Sequence, residues 1–269
     1  YLEKVEKIRQ HILEGDFYEL NFCMEFSSTA QAFDPIQAYW QLSKESPMPF
    51  SCLLKMESDY LVCASPERFL KYENGKLISQ PIKGTIRRGN DNTEDEALKK
   101  QLQESEKEIA ENMMIVDLVR NDLTRSSILG SIEAEELFKI YSFDQVHQMI
   151  STITSRLSPD RSPLEAIELA FPMGSMTGAP KIMAMKMIEH YENAKRSMFS
   201  GAAGFFLPNG NFDFNVIIRS IYFSSESQKI SWQAGSAITW DSVAEREYEE
   251  CLLKTRSIQK ILDVKIKED

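Results

Sequence analysis

Four strand-like segments joined by tight turns are the feature that most limits the fold of this chain. They occupy residues 50–56, 60–64, 69–72 and 76–79, and each is rich in apolar, aromatic or β-branched residues. Asn74-Gly75 stands between the last two, and this dipeptide favours a two-residue hairpin turn. The sequence therefore predicts an antiparallel meander in this part of the chain.

Helices and further strands are predicted on both sides of the meander. Apolar spacing and capping residues, among them Asp34, Thr93 and Ser162, predict helices at 2–14, 35–45, 94–104, 106–121, 163–170 and 243–263. Further strands are expected at 17–26, 132–141, 148–157, 200–207, 212–223 and 230–238. No linker, low-complexity tract or short-period repeat interrupts them. We therefore expect residues 1–269 to form a single domain.

Charge and cysteine usage exclude some classes of protein. Acidic residues outnumber basic residues 41 to 31 and the pI is about 5.0, which argues against a protein that coats nucleic acid or anionic lipid. The four cysteines show no CxxC spacing, and a chain of 269 residues needs no disulfides. No apolar run is long enough to span a membrane, and the N-terminus has no signal-peptide pattern. A cytoplasmic location and a small anionic substrate agree with these features.

Lys83 lies in a decapeptide, residues 80–89, that restricts the backbone on both sides of it. Pro81 fixes φ before the lysine and Gly84 frees the backbone after it, so we expect the amine to be presented from a shaped loop. An ordinary lysine must lose its proton before it can attack an electrophile, which costs about 4–5 kcal/mol at pH 7. Burial or nearby cations such as Arg87 reduce that cost. An exposed loop lysine and a nucleophile are both compatible with this decapeptide alone.

Two predicted helices carry acidic residues at helical spacing. Glu108 and Glu111 are three residues apart on the helix at 106–121 and share a face. Glu247, Glu250 and Lys254 share a face of the last helix. A solvated helix face would explain the first pair, and salt bridges along the helix would explain the second set.

Two other positions suit the binding of an anion, and a third carries a histidine. Thr177 and Gly178 belong to a glycine- and hydroxyl-rich loop before Pro180 and a helix, and free N–H groups there would suit a carboxylate or phosphate. Arg219 stands among apolar strand residues and needs either a carboxylate ligand or an internal glutamate. His147 lies at the start of a strand, where a histidine is more often structural than catalytic.

Six motifs, taken together, resemble the chorismate-utilising enzymes across almost the full chain. They are residues 15–21 (GDFYELN), 65–69 (SPERF), the Lys83 decapeptide, 111–123 (ENMMIVDLVRNDL), 174–181 and 247–254. The resemblance implies an α+β fold, a four-layer α/β/β/α sandwich of two mainly antiparallel sheets with outer helices. It also implies an enzyme that acts on chorismate.

The resemblance implies a magnesium ion and a set of substrate-binding residues. Glu111 and Glu250 match the carboxylates that hold Mg²⁺ against the ring carboxylate of chorismate, with Glu108 and Glu247 beside them. Hard Mg²⁺ takes carboxylates, water and substrate oxygens. The positions that match substrate-binding groups are Arg219, Lys254, Thr177, Gly178, Gly235, Gly84 and Thr85. At residues 235–237 the family turn has a second glycine where this chain has Ala237.

Catalytic roles are implied for three residues. Glu67 matches the general acid that protonates the departing C4 hydroxyl, and His147 matches a histidine that orients that region. Lys83 stands where family members that aminate chorismate at C4 have lysine, whereas members that act at C2 typically have alanine. Glu19 stands where water-adding members have a lysine and amine-transferring members usually have glutamine, so its role stays open.

The expected activity is therefore conversion of chorismate and ammonia to 4-amino-4-deoxychorismate, a precursor of p-aminobenzoate and folate. Lys83 would attack C2, Glu67 would protonate the leaving C4 hydroxyl, and ammonia would add at C4 and release the lysine. The resemblance implies that a glutamine amidotransferase subunit supplies the ammonia. The alternatives are amination at C2 to give anthranilate, and a homologue that binds chorismate without turnover.

Overall fold

The computed structural model describes residues 1–29, 32–264 and 266. Its helices are α1 (Leu2–Glu14), α2 (Pro35–Glu45), α3 (Asn92–Gln103), α4 (Glu106–Thr124), α5 (Pro163–Ala170), α6 (Lys181–Tyr191) and α7 (Ala244–Leu262). Its strands are β1 (Glu19–Thr29), β2 (Phe50–Met56), β3 (Asp59–Ser65), β4 (Arg68–Glu73), β5 (Lys76–Gln80), β6 (Ile82–Arg87), β7 (Glu133–Ser142), β8 (Val146–Arg156), β9 (Gly178–Ala179), β10 (Ala202–Phe206), β11 (Phe212–Val216), β12 (Ser220–Ser224) and β13 (Lys229–Ile238). No helix in the described ranges combines the length and apolar character required to cross a bilayer.

The backbone divides into two compact units, each built from segments that are distant in sequence. Unit 1 comprises Tyr1–Pro66, Met176–Ala203 and Asn215–Asp269, and unit 2 comprises Glu67–Ser175 and Gly204–Phe214. The prediction of a single domain over residues 1–269 stays a prediction.

Unit 1 is organised around a six-stranded sheet with the order β2-β3-β12-β13-β1-β9. Its pairings are antiparallel, as in the ten-residue register between β1 and β13. Two apolar clusters join helices to this sheet. One joins Val5 and Ile8 of α1 to Leu20 of β1, and the other joins Leu42 of α2 to Trp232 of β13. These buried side chains hold the helices on the sheet through the hydrophobic effect.

Unit 2 is organised around the second sheet, with the order β10-β11-β4-β5-β8-β6 and with β7 also paired to β8. The strands β4, β5, β6, β7 and β8 pair antiparallel. The α+β class and the two antiparallel sheets are therefore confirmed. The hairpin at Asn74-Gly75 is confirmed as well, because Glu73 of β4 pairs with Lys76 of β5.

Helix α4 is anchored to β8 by one fully buried asparagine. Ser105 caps the helix by accepting a hydrogen bond from the backbone N–H of Glu108. Asn112 then donates to the Met149 carbonyl, at 3.4 Å, and accepts from the Ser151 hydroxyl, at 2.6 Å. Both partners lie on β8, so Asn112 fixes the position of α4 along the strand.

Three local predictions were wrong. The segment predicted as one strand at 212–223 is two strands, β11 and β12, which belong to different sheets. Arg219 lies between them with φ 51°, and a continuous extended strand cannot contain a residue with this backbone angle. Residues 82–87 around Lys83 are the strand β6 rather than a loop. Helix α3 is capped by Asp91, which accepts from Thr93 N and Glu94 N, and not by Thr93.

We predict that Asn112→Ala lowers the free energy of unfolding by about 2 kcal/mol, because the buried Ser151 hydroxyl loses its acceptor and the Met149 carbonyl loses a donor. Urea unfolding measures the change. The matched control is Asn121→Ala, which removes an exposed asparagine from the same helix and should change stability by less than about 0.5 kcal/mol. Equal effects of the two substitutions would contradict the anchoring role.

Candidate active site

Lys83 lies on β6 where that strand passes close to α3 and α4. Gly84 has φ 85°, and a Cβ there would come within 3.0 Å of Leu102 Cδ1 and 3.1 Å of Glu108 Oε2. The pairing of β6 with β8 also shifts register between Ile82 and Thr85. Glycine therefore permits a backbone conformation and a close approach that a residue with a side chain would disturb. This irregular strand presents Lys83 to α4.

The Lys83 ammonium lies beside Glu111, and both side chains are only 13% exposed. Lys83 Nζ is 3.8 Å from Glu111 Oε2, which is an ion-pair distance and too long for a hydrogen bond. On the solvent side, Lys107 Nζ is 3.7 Å from Glu111 Oε1, and Lys107 is 56% exposed. The structure thus places the predicted nucleophile beside a predicted metal ligand, shielded from bulk water. The exposed-loop alternative does not describe this lysine.

The other predicted residues of unit 2 lie on neighbouring elements. Glu108 is one turn before Glu111 on α4, and its carboxylate borders the Gly84 backbone. Thr85 pairs with Gln148 of β8. Glu67 directly precedes β4 and is 6% exposed. The acid role of Glu67 stays a prediction.

His147 is buried, and both of its ring nitrogens contact protein groups. Nδ1 lies 2.8 Å from the Ser142 hydroxyl, and Nε2 lies 3.0 Å from Asp95 Oδ1. Asp95 also accepts from Arg88 Nε and Nη2, at 2.8 and 2.7 Å, and from Gly89 N, at 2.7 Å. A bond from His147 to a substrate would have to replace one of these contacts. Its role in orienting the substrate stays a prediction.

Sequence reasoning missed Asp95 and Arg88. The hydrogen bonds from Arg88, then from the Gly89 N–H, hold the pKa of the Asp95 carboxyl well below its usual range. These contacts tie the end of β6 to the beginning of α3. The available signal was the short distance in sequence between the two arginines at 87–88 and the acidic segment at 94–96.

In unit 1, four predicted residues form a group. Lys254 Nζ lies 2.6 Å from Glu250 Oε1 and donates to the Gly235 carbonyl at 2.8 Å. Arg219 Nη1 donates to the Lys254 carbonyl at 3.2 Å. Burial lowers the pKa of Arg219, and the negative charge of Glu250 acts in the opposite direction. Glu247 lies one turn before Glu250 on α7 and is buried.

The glycines predicted to bind substrate have a structural reason to be glycine. A Cβ on Gly235 would come within 2.3 Å of Cys23 Sγ, because β13 pairs with β1 at this point. A Cβ on Gly178 would come within 2.1 Å of the Glu19 carbonyl, and Gly178 has φ 147°. The carbonyl of the buried Thr177 accepts from Asn21 N at 2.8 Å. The binding roles of Gly235, Gly178 and Thr177 stay predictions.

The carboxylates of each unit suit a hard divalent cation. Unit 2 offers Glu108 and Glu111 on one face of α4, and unit 1 offers Glu247 and Glu250 on one face of α7. Carboxylate oxygens are the protein ligands that Mg²⁺ prefers. The chemistry of each pair is therefore compatible with the ion that the resemblance implies, and the binding of magnesium stays a prediction.

Comparison with known proteins gives one family. A family model described as chorismate binding enzyme matches residues 1–260. The chain is 42% identical over 260 residues to the chloroplastic aminodeoxychorismate synthase of Arabidopsis thaliana, covering 96% of this chain and 28% of that protein. It is 37% identical to aminodeoxychorismate synthase component 1 of Escherichia coli (strain K12), covering 98% of this chain and 57% of that protein. The chain thus spans only part of the length of these relatives.

A solved structure shows the same fold. The crystal structure of anthranilate synthase component I from Streptococcus pneumoniae TIGR4 superposes with a TM-score of 0.86 at 31% identity. The match covers 96% of this chain and 56% of that chain.

We predict that Asp95→Asn lowers the free energy of unfolding at pH 7 and that this difference becomes smaller as the pH falls below about 4. Because the folded-state pKa of Asp95 is lowered, its ionised form stabilises the fold above the unfolded pKa of about 3.9, and this contribution is lost as pH falls through the folded pKa. Urea unfolding from pH 7 to pH 3 measures the effect. Asp117→Asn, at an exposed ion pair on α4, is the control and should change little. A difference that is constant over this pH range would contradict the account.

Proposed function

The chain belongs to the chorismate binding enzyme family, and from that premise we propose that it aminates chorismate at C4 to give 4-amino-4-deoxychorismate. The observation that carries the proposal is the position of Lys83, a shielded amine 3.8 Å from Glu111. Two relatives that cover nearly the full chain are named aminodeoxychorismate synthase, at 42% and 37% identity, and support the same reaction.

The proposed chemistry uses Lys83 as a nucleophile and Glu67 as an acid. The neutral amine of Lys83 forms a bond to C2 of the ring, the ring double bond shifts, and the C4 hydroxyl leaves as water with a proton from Glu67. Ammonia then forms a bond to C4 and passes its extra proton to the Glu67 carboxylate, while the double bond shifts back and the C2–nitrogen bond to Lys83 breaks. Lysine and acid are thus restored, and one hydroxyl has been exchanged for one amine.

Charged side chains and backbone groups are proposed to bind the substrate. Arg219 and Lys254 carry positive charge suited to the carboxylates of chorismate, and the backbone of Thr177, Gly178 and Gly235 would contribute hydrogen bonds. Gly84 and Thr85, which flank the lysine strand, are proposed to border the ring. A tight site must balance the two negative charges of this substrate, because a buried charge without a partner is costly.

Mg²⁺ is the proposed cofactor. Its proposed ligands are Glu111 and Glu250, with Glu108 and Glu247 beside them. When bound, the ion would supply positive charge that offsets the substrate carboxylate and the glutamates. The rest of the chemistry belongs to the side chains of this chain.

A separate glutamine amidotransferase subunit is the proposed source of ammonia. The relative from Escherichia coli is named component 1, which agrees with an enzyme of more than one component. A cytoplasmic location stays a prediction, and the relative from Arabidopsis thaliana is named chloroplastic.

Amination at C2 to give anthranilate is the second candidate. The structural similarity to anthranilate synthase component I favours it, at a TM-score of 0.86. Lys83 separates the two candidates, because attack by this amine at C2 occupies the carbon that anthranilate synthesis must aminate. The product therefore decides between them.

We predict that the protein, incubated with chorismate, Mg²⁺ and ammonium at alkaline pH, forms a para-amino product and no fluorescent anthranilate. Chromatography with mass and fluorescence detection identifies the product. Lys83→Ala should lower the rate of its formation at least about a hundredfold because covalent catalysis is removed. The control is Lys100→Ala, at an exposed lysine on α3, which should keep the wild-type rate.

Two results would count against the proposal. Direct formation of anthranilate by the wild-type protein would show the C2 activity instead. An unchanged rate in Lys83→Ala would remove this lysine from the mechanism.

A further inference from the structure

A chain of polar contacts crosses the sheet of unit 2 and passes through Arg68. In order across the sheet it joins Asp213 on β11, Arg68 on β4, Gln80 on β5, Thr152 on β8 and Glu136 on β7. Gln80 Nε2 donates to Thr152 Oγ1 at 3.1 Å, and Thr152 Oγ1 donates to Glu136 Oε2 at 3.3 Å. Each strand is therefore joined to the next through side chains as well as backbone.

Arg68 uses all three nitrogens of its guanidinium in this chain. Nε and Nη2 donate to the two oxygens of Asp213, both at 2.9 Å, and Nη1 donates to Gln80 Oε1. The side chains of Arg68 and Asp213 are each 21% exposed. A planar fork held at three points has little freedom to rotate, and a lysine ammonium could not reproduce it.

The fork joins the chain segments that carry the proposed acid and nucleophile. Glu67 is the residue before Arg68, and Lys83 is three residues after Gln80, with Pro81 between them. Arg68 and Gln80 also face each other at the end of the β4–β5 ladder. Motion of this pair would therefore move both reactive residues.

The backbone ladder is irregular at these same places. The β4–β5 register shifts between Arg68 and Lys71, and the β6–β8 register shifts between Ile82 and Thr85. An irregular ladder constrains the strands less than a continuous one. The side-chain bonds of Arg68 supply a constraint where the backbone pairing is interrupted.

We propose that Arg68 is a positioning residue, which sets the separation of Glu67 and Lys83 through its bonds to Gln80 and Asp213. The effect on catalysis rests on the proposed function, whereas the effect on the lysine strand does not. A purely structural ion pair would instead stabilise unit 2 as a whole.

The test of position uses hydrogen–deuterium exchange and needs no substrate. Arg68→Met and Gln80→Met are compared with the wild type and with Arg161→Met, which removes an exposed arginine from an ion pair elsewhere in unit 2. Both test variants should exchange the amides of residues 82–87 about tenfold faster, with helix α4 unchanged. Gln80→Met matters because it keeps the Arg68–Asp213 ion pair. Unchanged exchange at 82–87, or faster exchange throughout unit 2, would overturn the proposal.

Kinetics on the same variants tests the consequence for the reaction. Displacement of a reacting group by about 1 Å can lower a rate a hundredfold, so kcat should fall by about that factor in both variants while KM for chorismate stays within about twofold. Arg68→Lys should not restore kcat, because an ammonium cannot make the three planar hydrogen bonds of the guanidinium. An increase in KM with unchanged kcat would overturn the positioning role. A wild-type protein that forms no 4-amino product refutes the proposed function, and the exchange result still decides the role of Arg68.

Discussion

The contact between Lys83 and Glu111 depends on how closely β6 approaches α4. Gly84 allows that approach, since any side chain there would meet Leu102 and Glu108. Asn112 holds α4 on β8, which is the strand that β6 pairs with. The position of one amine is thus set by a glycine, a buried amide and a strand pairing.

The predicted binding residues of unit 1 are also held in place by contacts with other protein groups. The Gly235 carbonyl accepts a hydrogen bond from Lys254 Nζ, and the Lys254 carbonyl accepts one from Arg219 Nη1. Burial and the charge of Glu250 act on Arg219 in opposite directions. The sequence alone leaves open whether the charge of Arg219 is balanced by a ligand carboxylate or by an internal glutamate. In the structure Arg219 donates to the Lys254 carbonyl and feels the charge of Glu250. A carboxylate ligand would therefore add to these contacts.

Local signals predicted most elements, and long-range contacts explain the failures. The capping box at Ser162 and the Asn74-Gly75 turn act within a few residues, and both are confirmed. The division of residues 212–223 into two strands depends on which sheet each half joins, which alternation of apolar residues cannot reveal. The Asp95–His147 contact joins residues that are 52 positions apart, so no spacing rule predicts it. The resemblance to a family predicts roles for residues, whereas the structure shows the groups that they contact.

The central claim is that Lys83 bonds covalently to the ring of chorismate. The most direct test is the mass of the peptide that contains Lys83 after incubation with chorismate and Mg²⁺ in the absence of ammonia. Without ammonia the second half of the proposed reaction cannot proceed, so the lysine-bound ring should accumulate. Peptide mapping by mass spectrometry should then find, on Lys83 alone, an increase equal to chorismate less one water. If the protein converts chorismate rapidly once ammonia is added but never carries this adduct, Lys83 is not the nucleophile and the central claim is wrong.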